Sequence, residues 1–226
     1  MINQPYYFEV KDLMVQFVSA FNNVVISRYN KDREVVDKIQ ARYVYAPKQR
    51  VLHDLVNKSQ HITLPVVAVS LAGVSRDETR IFNKIYGSYN YQGSTDEGIP
   101  TSSKYLPSPV PVNLSVNMSI LTKYQTDMDQ ILSNFIPYSN PYIVISWPLP
   151  EKIAGEIQEI RSEVEWSGNI DVTYPTDLEP TQVARIAADT NFTIKGWLFP
   201  DKKQSDGQNI LYVDTRFTPV TGFDYI

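Results

Sequence analysis

Between Pro111 and Trp147 the spacing of apolar side chains changes twice, and each change predicts an element. Val112, Leu114, Val116, Met118 and Ile120 alternate with Asn113, Ser115, Asn117 and Ser119. Strand side chains point alternately to opposite faces, so this run predicts a strand with one buried face and one small, uncharged polar face. Such a polar face is compact enough to lie against another protein surface, or it is an ordinary solvent face. After Tyr124 the period lengthens. Met128, Ile131, Leu132, Phe135 and Ile136 then fall on one helical stripe. Thr126 is the expected N-cap, with Asp129 three residues on, and Pro137 is the expected stop. Tyr142 to Trp147, β-branched and aromatic, predicts a returning strand.

The same reading extends along the chain. Val10, Leu13, Met14, Phe17, Ala20, Phe21 and Val24 predict an amphipathic helix over 9 to 23 that runs into a strand from Val24 to Tyr29. Charged residues 30 to 38 predict a turn, and Ile39, Ala41, Tyr43 and Tyr45 a second strand ending at Ala46-Pro47. Pro47 suits the first position of a helix carrying Val51, Leu52, Leu55 and Val56. Ile62 to Val74 is apolar on both faces, as in a central strand covered on two sides.

Residues 75 to 111 break the pattern and are expected to be an arm or long loop inserted within a single domain of residues 1 to 226. Within them Tyr86, Tyr89 and Tyr91 alternate around Gly87, which predicts either a short hairpin or an arm laid on a neighbour. Ile160 to Val172 alternates around Glu163 and Glu165, while ARIAAD at 184 to 189 suggests a helical turn. Asn191 to Phe199 and Asn209 to Phe217 predict two strands around a turn at Asp206-Gly207. The fold class expected is α+β: a mainly antiparallel twisted sheet with two or three helices packed on it.

Composition narrows the chemistry. With 226 residues, 12% aromatic and including fifteen Tyr, the chain can bury a substantial core. The absence of Cys removes disulfides, thiol nucleophiles and thiolate metal sites, and two histidines, His53 and His61, do not make a His-rich metal site. No membrane-length apolar run or signal-peptide pattern occurs, so use without export through the general secretory route is expected. A net charge of −4 argues against a duplex-binding surface and suits one that DNA passes without sticking.

No phosphate-binding glycine loop, nucleophile elbow, paired-histidine motif or calcium-binding loop is present. Asp127 and Asp129 are better explained as compensation of a helix dipole than as metal ligands. Glu163 and Glu165 share one strand face, which a solvated surface explains better than a carboxylate pair does. His53 and His61 have no nucleophile placed near them by motif, and the Lys202-Lys203 turn is too small for a nucleic-acid footprint. Trp147, Trp166 and Trp197 read as buried strand aromatics before they read as a stacking platform. No cofactor, metal or catalytic residue is therefore expected.

Several short motifs then fall in a familiar order. They are Tyr45-Ala46-Pro47-Lys48, Leu64-Pro65, Pro107-Ser108-Pro109, Ser119-Ile120, Thr122-Lys123-Tyr124, Asp127-Met128, Gln130-Ile131, Pro137-Tyr138 and Gly196-Trp197-Leu198-Phe199-Pro200, within a likeness that runs from about Phe17 to Pro200. In this order they resemble the tail sheath stabiliser, or tail completion protein, of T-even-type contractile-tailed phages. Residues 148 to 190 match that pattern poorly, and the family's long Pro-rich C-terminal extension has no counterpart in these residues. The resemblance implies a non-enzymatic virion protein, assembled in the host cytoplasm. Its place would be a homo-hexameric ring at the head-proximal end of the tail. It would contact tail sheath, tail tube and neck or head-completion proteins, with DNA only in transit and no membrane.

For such a ring the candidate subunit or stacking surfaces are Tyr86, Tyr89, Tyr91 and Tyr105 of the arm, Asn113, Ser115, Asn117 and Ser119 of the alternating strand, and Tyr212 and Arg216 of the last strand. Another neck or head-completion component of a contractile particle is the nearest alternative. A carboxylate-dependent hydrolase or a carbohydrate-binding module represents the competing classes.

Overall fold

The computed structural model describes residues 6–57, 64–81, 87–92, 102–150, 158–175, 185–200 and 207–208. By contacts the chain divides into two compact units, Met1–Lys84 with Pro109–Pro200 and Ile85–Ser108 with Asp201–Ile226. In chain order the elements are α1 (Glu9–Phe21), β1 (Val25–Tyr29), β2 (Val35–Gln40), β3 (Arg42–Tyr45), α2 (Lys48–Asn57), β4 (Val66–Arg76), β5 (Gly87–Gln92), β6 (Ser102–Pro107), β7 (Val110–Thr122), α3 (Gln125–Tyr138), β8 (Ile143–Pro148), β9 (Glu159–Thr173), β10 (Ile186–Leu198) and β11 (Gly207–Gln208).

The first unit is built on a six-stranded sheet of order β3-β4-β7-β10-β9-β8. Its class is α+β, but the sheet is mixed rather than uniformly antiparallel: β3 runs parallel to β4 while the other neighbours are antiparallel. The reason is the connection through α2, since a helical crossover returns the chain to the sheet in the same direction. β7 lies in the middle, paired along its length with β4 and β10.

One face of this sheet is apolar. Leu13, Met14, Phe17 and Phe21 of α1 and Met128, Ile131 and Phe135 of α3 bury against Val67, Val69, Leu114, Val116, Met118, Phe192 and Ile194. Phe192 of β10 is the meeting point, with ring centroids 5.2 Å from Phe17, 5.4 Å from Phe21 and 5.5 Å from Phe135. Aromatic pairs at such separations add about 0.5–1.5 kcal/mol each beyond the area they bury. α2 covers the other face at one end only, burying Val51 and Leu55 against Val66, Ala68 and Leu121. Two-sided cover therefore makes Val66 to Val69 buried on both faces, and it ceases further along β4, where residues from Ala72 onward are exposed.

Several sequence expectations change. Residues 35–38 are strand rather than turn: Val35 pairs with Tyr29 and Asp37 with Arg28 in a two-stranded ribbon, Val36 stands at the register shift between them, and only 30 to 34 make the turn. The alternation from Ile39 to Tyr45 is two strands in different sheets, because buried Ala41 turns the chain from β1 towards β4. α3 starts after Tyr124 with no side-chain cap, so Thr126 is not the N-cap, and it continues through Pro137 to Tyr138. A proline in the final turn forfeits one N–H bond, and Ser139 closes the helix by donating its N–H and Oγ–H to the Phe135 carbonyl. Ile186 to Asp189 is strand, not a helical turn, since pairing on both sides with β7 and β9 outweighs the alanines' helical preference. Gly207 and Gln208 form a short strand, and the remainder of the expected turn and final strand lies outside the described residues.

β9 also carries an irregularity that the alternation concealed. Between Trp166 and Ile170 its register against β10 shifts, and Gly168 there adopts φ 81°, a conformation that side chains resist. Thr190 stitches the bulge by accepting from Trp166 Nε1 at 2.7 Å and donating to the Asn169 carbonyl at 2.7 Å.

The second unit contains a hairpin of β5 and β6 in which Tyr89 and Tyr105 are register partners, with β11 added to β6. In the first unit, the corner from which the chain leaves for this hairpin is pinned. Asp77 donates its N–H to the Pro111 carbonyl and accepts from Thr79 and Arg80, and Arg80 Nη2 donates to the Val112 carbonyl at 2.8 Å.

Two outcomes follow from this packing. A Cβ on Gly196 would stand 2.7 Å from Leu13 Cδ1 and 3.1 Å from Leu114 Cδ1, so Gly196→Ala must displace the buried Leu13 side chain within a packed core. The expected loss is about 1–3 kcal/mol in denaturant unfolding. The second outcome concerns Asp77, whose carboxyl the bonds from Thr79 and then Arg80 hold well below its ordinary value of 3.8. A depressed acid stabilises the fold above its unfolded pKa and loses that contribution as pH falls towards the folded value. The stability gap between the wild type and Asp77→Asn should therefore be constant near neutrality and narrow below about pH 4, measured as unfolding midpoints against pH.

Candidate functional site

The face of the six-stranded sheet opposite α1 and α3 is covered by α2 at one end only. Strand registers place Ser70 beside Asn117 and Ser75 beside Asn113 on one side, and Asn191 beside Asn117 and Thr193 beside Ser115 on the other. Side chains of alternating residues share a face, so β4, β7 and β10 together present a patch of short hydroxyl and carboxamide groups. Ser115, Asn117 and Asn191 are exposed at its centre. β9 extends the patch with Glu163 and Glu165.

The two ends of the patch are built differently. At the α2 end Ser119 is only 7% exposed, and its hydroxyl donates to Asp189 at 2.5 Å while Lys48 Nζ holds the other carboxylate oxygen, also at 2.5 Å. At the opposite end Asn113 accepts from Arg80 Nη2 at 3.2 Å. Lys195 reaches across to Glu165 and, at 3.3 Å, to Glu163. Its ammonium is held above the ordinary lysine range, first by the bond to Glu165. These ion pairs are solvated and contribute about 0–1 kcal/mol, so they shape the charge of the surface more than its stability.

The other sequence candidates belong to other elements. Tyr89 and Tyr91 lie on β5 and Tyr105 on β6 of the hairpin, and Tyr86, Tyr212 and Arg216 lie outside the described residues. Asp127 and Asp129 are not a pair. Asp127 is 2% exposed and faces Arg28 at 3.6 Å, whereas Asp129 accepts from Gln125 one turn back. Asp127 thus does more than offset a helix dipole: it anchors the β1–β2 ribbon to α3, beside Gln130, whose amide bonds both the N–H and the carbonyl of Ser27. Among the described residues no His, Asp and Glu cluster is arranged to hold a metal ion.

Trp147 is 1% exposed and donates to Ser162 at 2.9 Å, so it is core. Trp166 and Trp197 are half-buried in the same sheet. His53 is exposed beside Asp54, and His61 lies outside the described residues. No described helix is long and apolar enough to cross a membrane.

Ser70, Ser75, Asn191 and Thr193 belong to the patch and were not singled out from sequence. Asn191, Thr193 and Lys195 do alternate with Phe192 and Ile194, but only the register sets that alternation beside Asn113 to Ser119.

Comparison with known proteins bears on what such a face serves. The chain is 26% identical over 200 residues to the tail completion protein gp15 of Enterobacteria phage T4, covering 83% of this chain and 69% of that protein. Its fold was also compared with the sheath/tube terminator of an extracellular contractile injection system, the PVC particle, in its extended state. That likeness has a TM-score of 0.43 and 12% identity, over 98% of this chain and 66% of the other. Residues 5–222 match the family described as T4-like virus Myoviridae tail sheath stabiliser. The chain therefore belongs to the tail sheath stabiliser family of T4-like myoviruses, structural proteins of the contractile virion tail.

Proposed function

We propose that the protein assembles as a homo-hexameric ring at the head-proximal end of the tail, where it caps the last ring of tube, stabilises the extended sheath and joins the tail to the neck. Family membership supplies the tail and the sheath. The observation that carries the rest is the uncovered polar face of β4, β7 and β10, which is broad, nearly flat in chemistry and free of long side chains at its centre.

A ring closed by rotation uses two different patches on each subunit, and stacking on tube and sheath needs further ones. Short Ser, Asn and Thr side chains suit such contacts, because they offer donors and acceptors at little entropic cost and leave no isolated charge to desolvate. The β5–β6 hairpin, with tyrosines at 89, 91 and 105, is a second candidate surface, since Tyr combines a large apolar body with a polar tip. In this reading binding surfaces, not reacting groups, carry the function. Neck proteins are further partners, and DNA crosses the lumen in transit past a chain of net charge −4.

Ser115→Arg and Asn117→Arg place a long cation in the middle of the face without touching the core. Each should change unfolding free energy by no more than about 0.5 kcal/mol, as surface substitutions do. Binding to tail ends that lack the protein, counted by electron microscopy, should weaken about tenfold or more, as for a charge desolvated without a partner. Unchanged end occupancy by both variants would remove this face from the interface.

A further inference from the structure

We propose that Arg80 is a positioning residue for assembly: one guanidinium clamps the three chain ends through which the sheet unit connects to residues 85–108 and 201–226. The proposal rests on the reading above that the tyrosine hairpin takes part in subunit contacts with a second copy of this chain.

The chain crosses between the two units after Lys84, after Ser108 and after Pro200. Arg80 lies just before the first crossing, and its contacts reach the strands at the other two. Nε donates to Asp77 at 2.8 Å, Nη2 donates to the Val112 carbonyl at 2.8 Å and to Asn113 Oδ1 at 3.2 Å, and the guanidinium stacks 4.9 Å from the centre of the Trp197 ring. Val112 and Asn113 open β7 just after the second crossing, and Trp197 closes β10 just before the third.

The planar fork explains why arginine stands here. A guanidinium can bond a carboxylate, a carbonyl and a carboxamide in its plane while presenting its face to an indole, whereas a lysine ammonium is a point charge that cannot hold all four at once. Asp77 is itself fixed by its N–H to Pro111 and by the Thr79 hydroxyl at 2.6 Å, so the clamp starts from a rigid base. A second tie reinforces the third end: Glu9 of α1 accepts from the Phe199 N–H at 2.8 Å. Trp197 and Phe199 also pack against the main core, so melting temperature has to be read beside occupancy to tell loss of the clamp from loss of the fold.

The test compares the full chain with Arg80→Lys and with a triple variant, Tyr89→Ala, Tyr91→Ala and Tyr105→Ala. Each is titrated onto tails lacking the protein, with half-occupancy of tail ends and melting temperature as the two readouts. Arg80→Lys should raise the half-occupancy concentration about tenfold, while its melting temperature moves by no more than about 4 °C. If Arg80→Lys unfolds at the assay temperature, Asp77→Asn, which weakens the carboxylate bond to Arg80 Nε and lies outside the polar face, takes its place with the same expectation of direction.

Unchanged half-occupancy for the clamp variant, with the tyrosine triple strongly weakened, overturns the proposal and leaves the hairpin reading intact. An unaffected tyrosine triple overturns the hairpin reading. Weakening by Arg80→Lys alone then also overturns the proposal, because Arg80 would be acting other than through the hairpin.

Discussion

The structure depends on a cluster of phenylalanine rings gathered on one face of the sheet. Phe17 and Phe21 of α1 and Phe135 of α3 meet Phe192 of β10 at the centre of the main core. Burying each ring contributes about 1.5–3 kcal/mol, so this cluster decides where both helices lie. It also fixes which residues of β7 and β10 point inward. Their odd-numbered neighbours are left on the opposite face by the geometry of the strand alone.

From that single choice of inner face the outer one acquires its character. α2 covers only one end of it, over Val66, Ala68 and Leu121, and the remainder is surfaced by Ser, Asn and Thr with Glu163, Glu165 and Lys195 at one side. A solvated sheet face usually carries longer charged side chains that keep it from pairing with other proteins. Here those are sparse at the centre, as the proposed interface requires. Several charges on it are paired, Asp189 with Lys48 and the two glutamates with the single Lys195.

Much of this was legible in the sequence where one period ran long enough to dominate. The alternation through Val112 to Ile120 is present as expected, and of the helical stripe Met128, Ile131 and Phe135 are buried and Leu132 partly so, while Ile136 is exposed at its edge. Misreadings occurred where the deciding contact was distant. Ala187 and Ala188 look helical in isolation and are strand because β7 and β9 flank them. Ile39 to Tyr45 alternates without a break, yet buried Ala41 splits it between two sheets. Asp127 resembles an exposed helix-start residue until Arg28, far away in sequence, is folded over it.

By itself, then, the sequence determined the class of the fold, the central strand with its neutral polar row, the lack of recognisable catalytic motifs and a resemblance carried by short ordered motifs. Those properties are local, set by side-chain period, turn chemistry and residue type within a few positions of one another. Only the tertiary structure decided that β3 joins the sheet in parallel, that Ser70, Ser75, Asn191 and Thr193 widen one strand's polar row into a surface, and that Arg80 touches the strand ends at Val112 and Trp197. Strand register and long-range burial bring those residues together, and neither is encoded in the neighbourhood of any one of them.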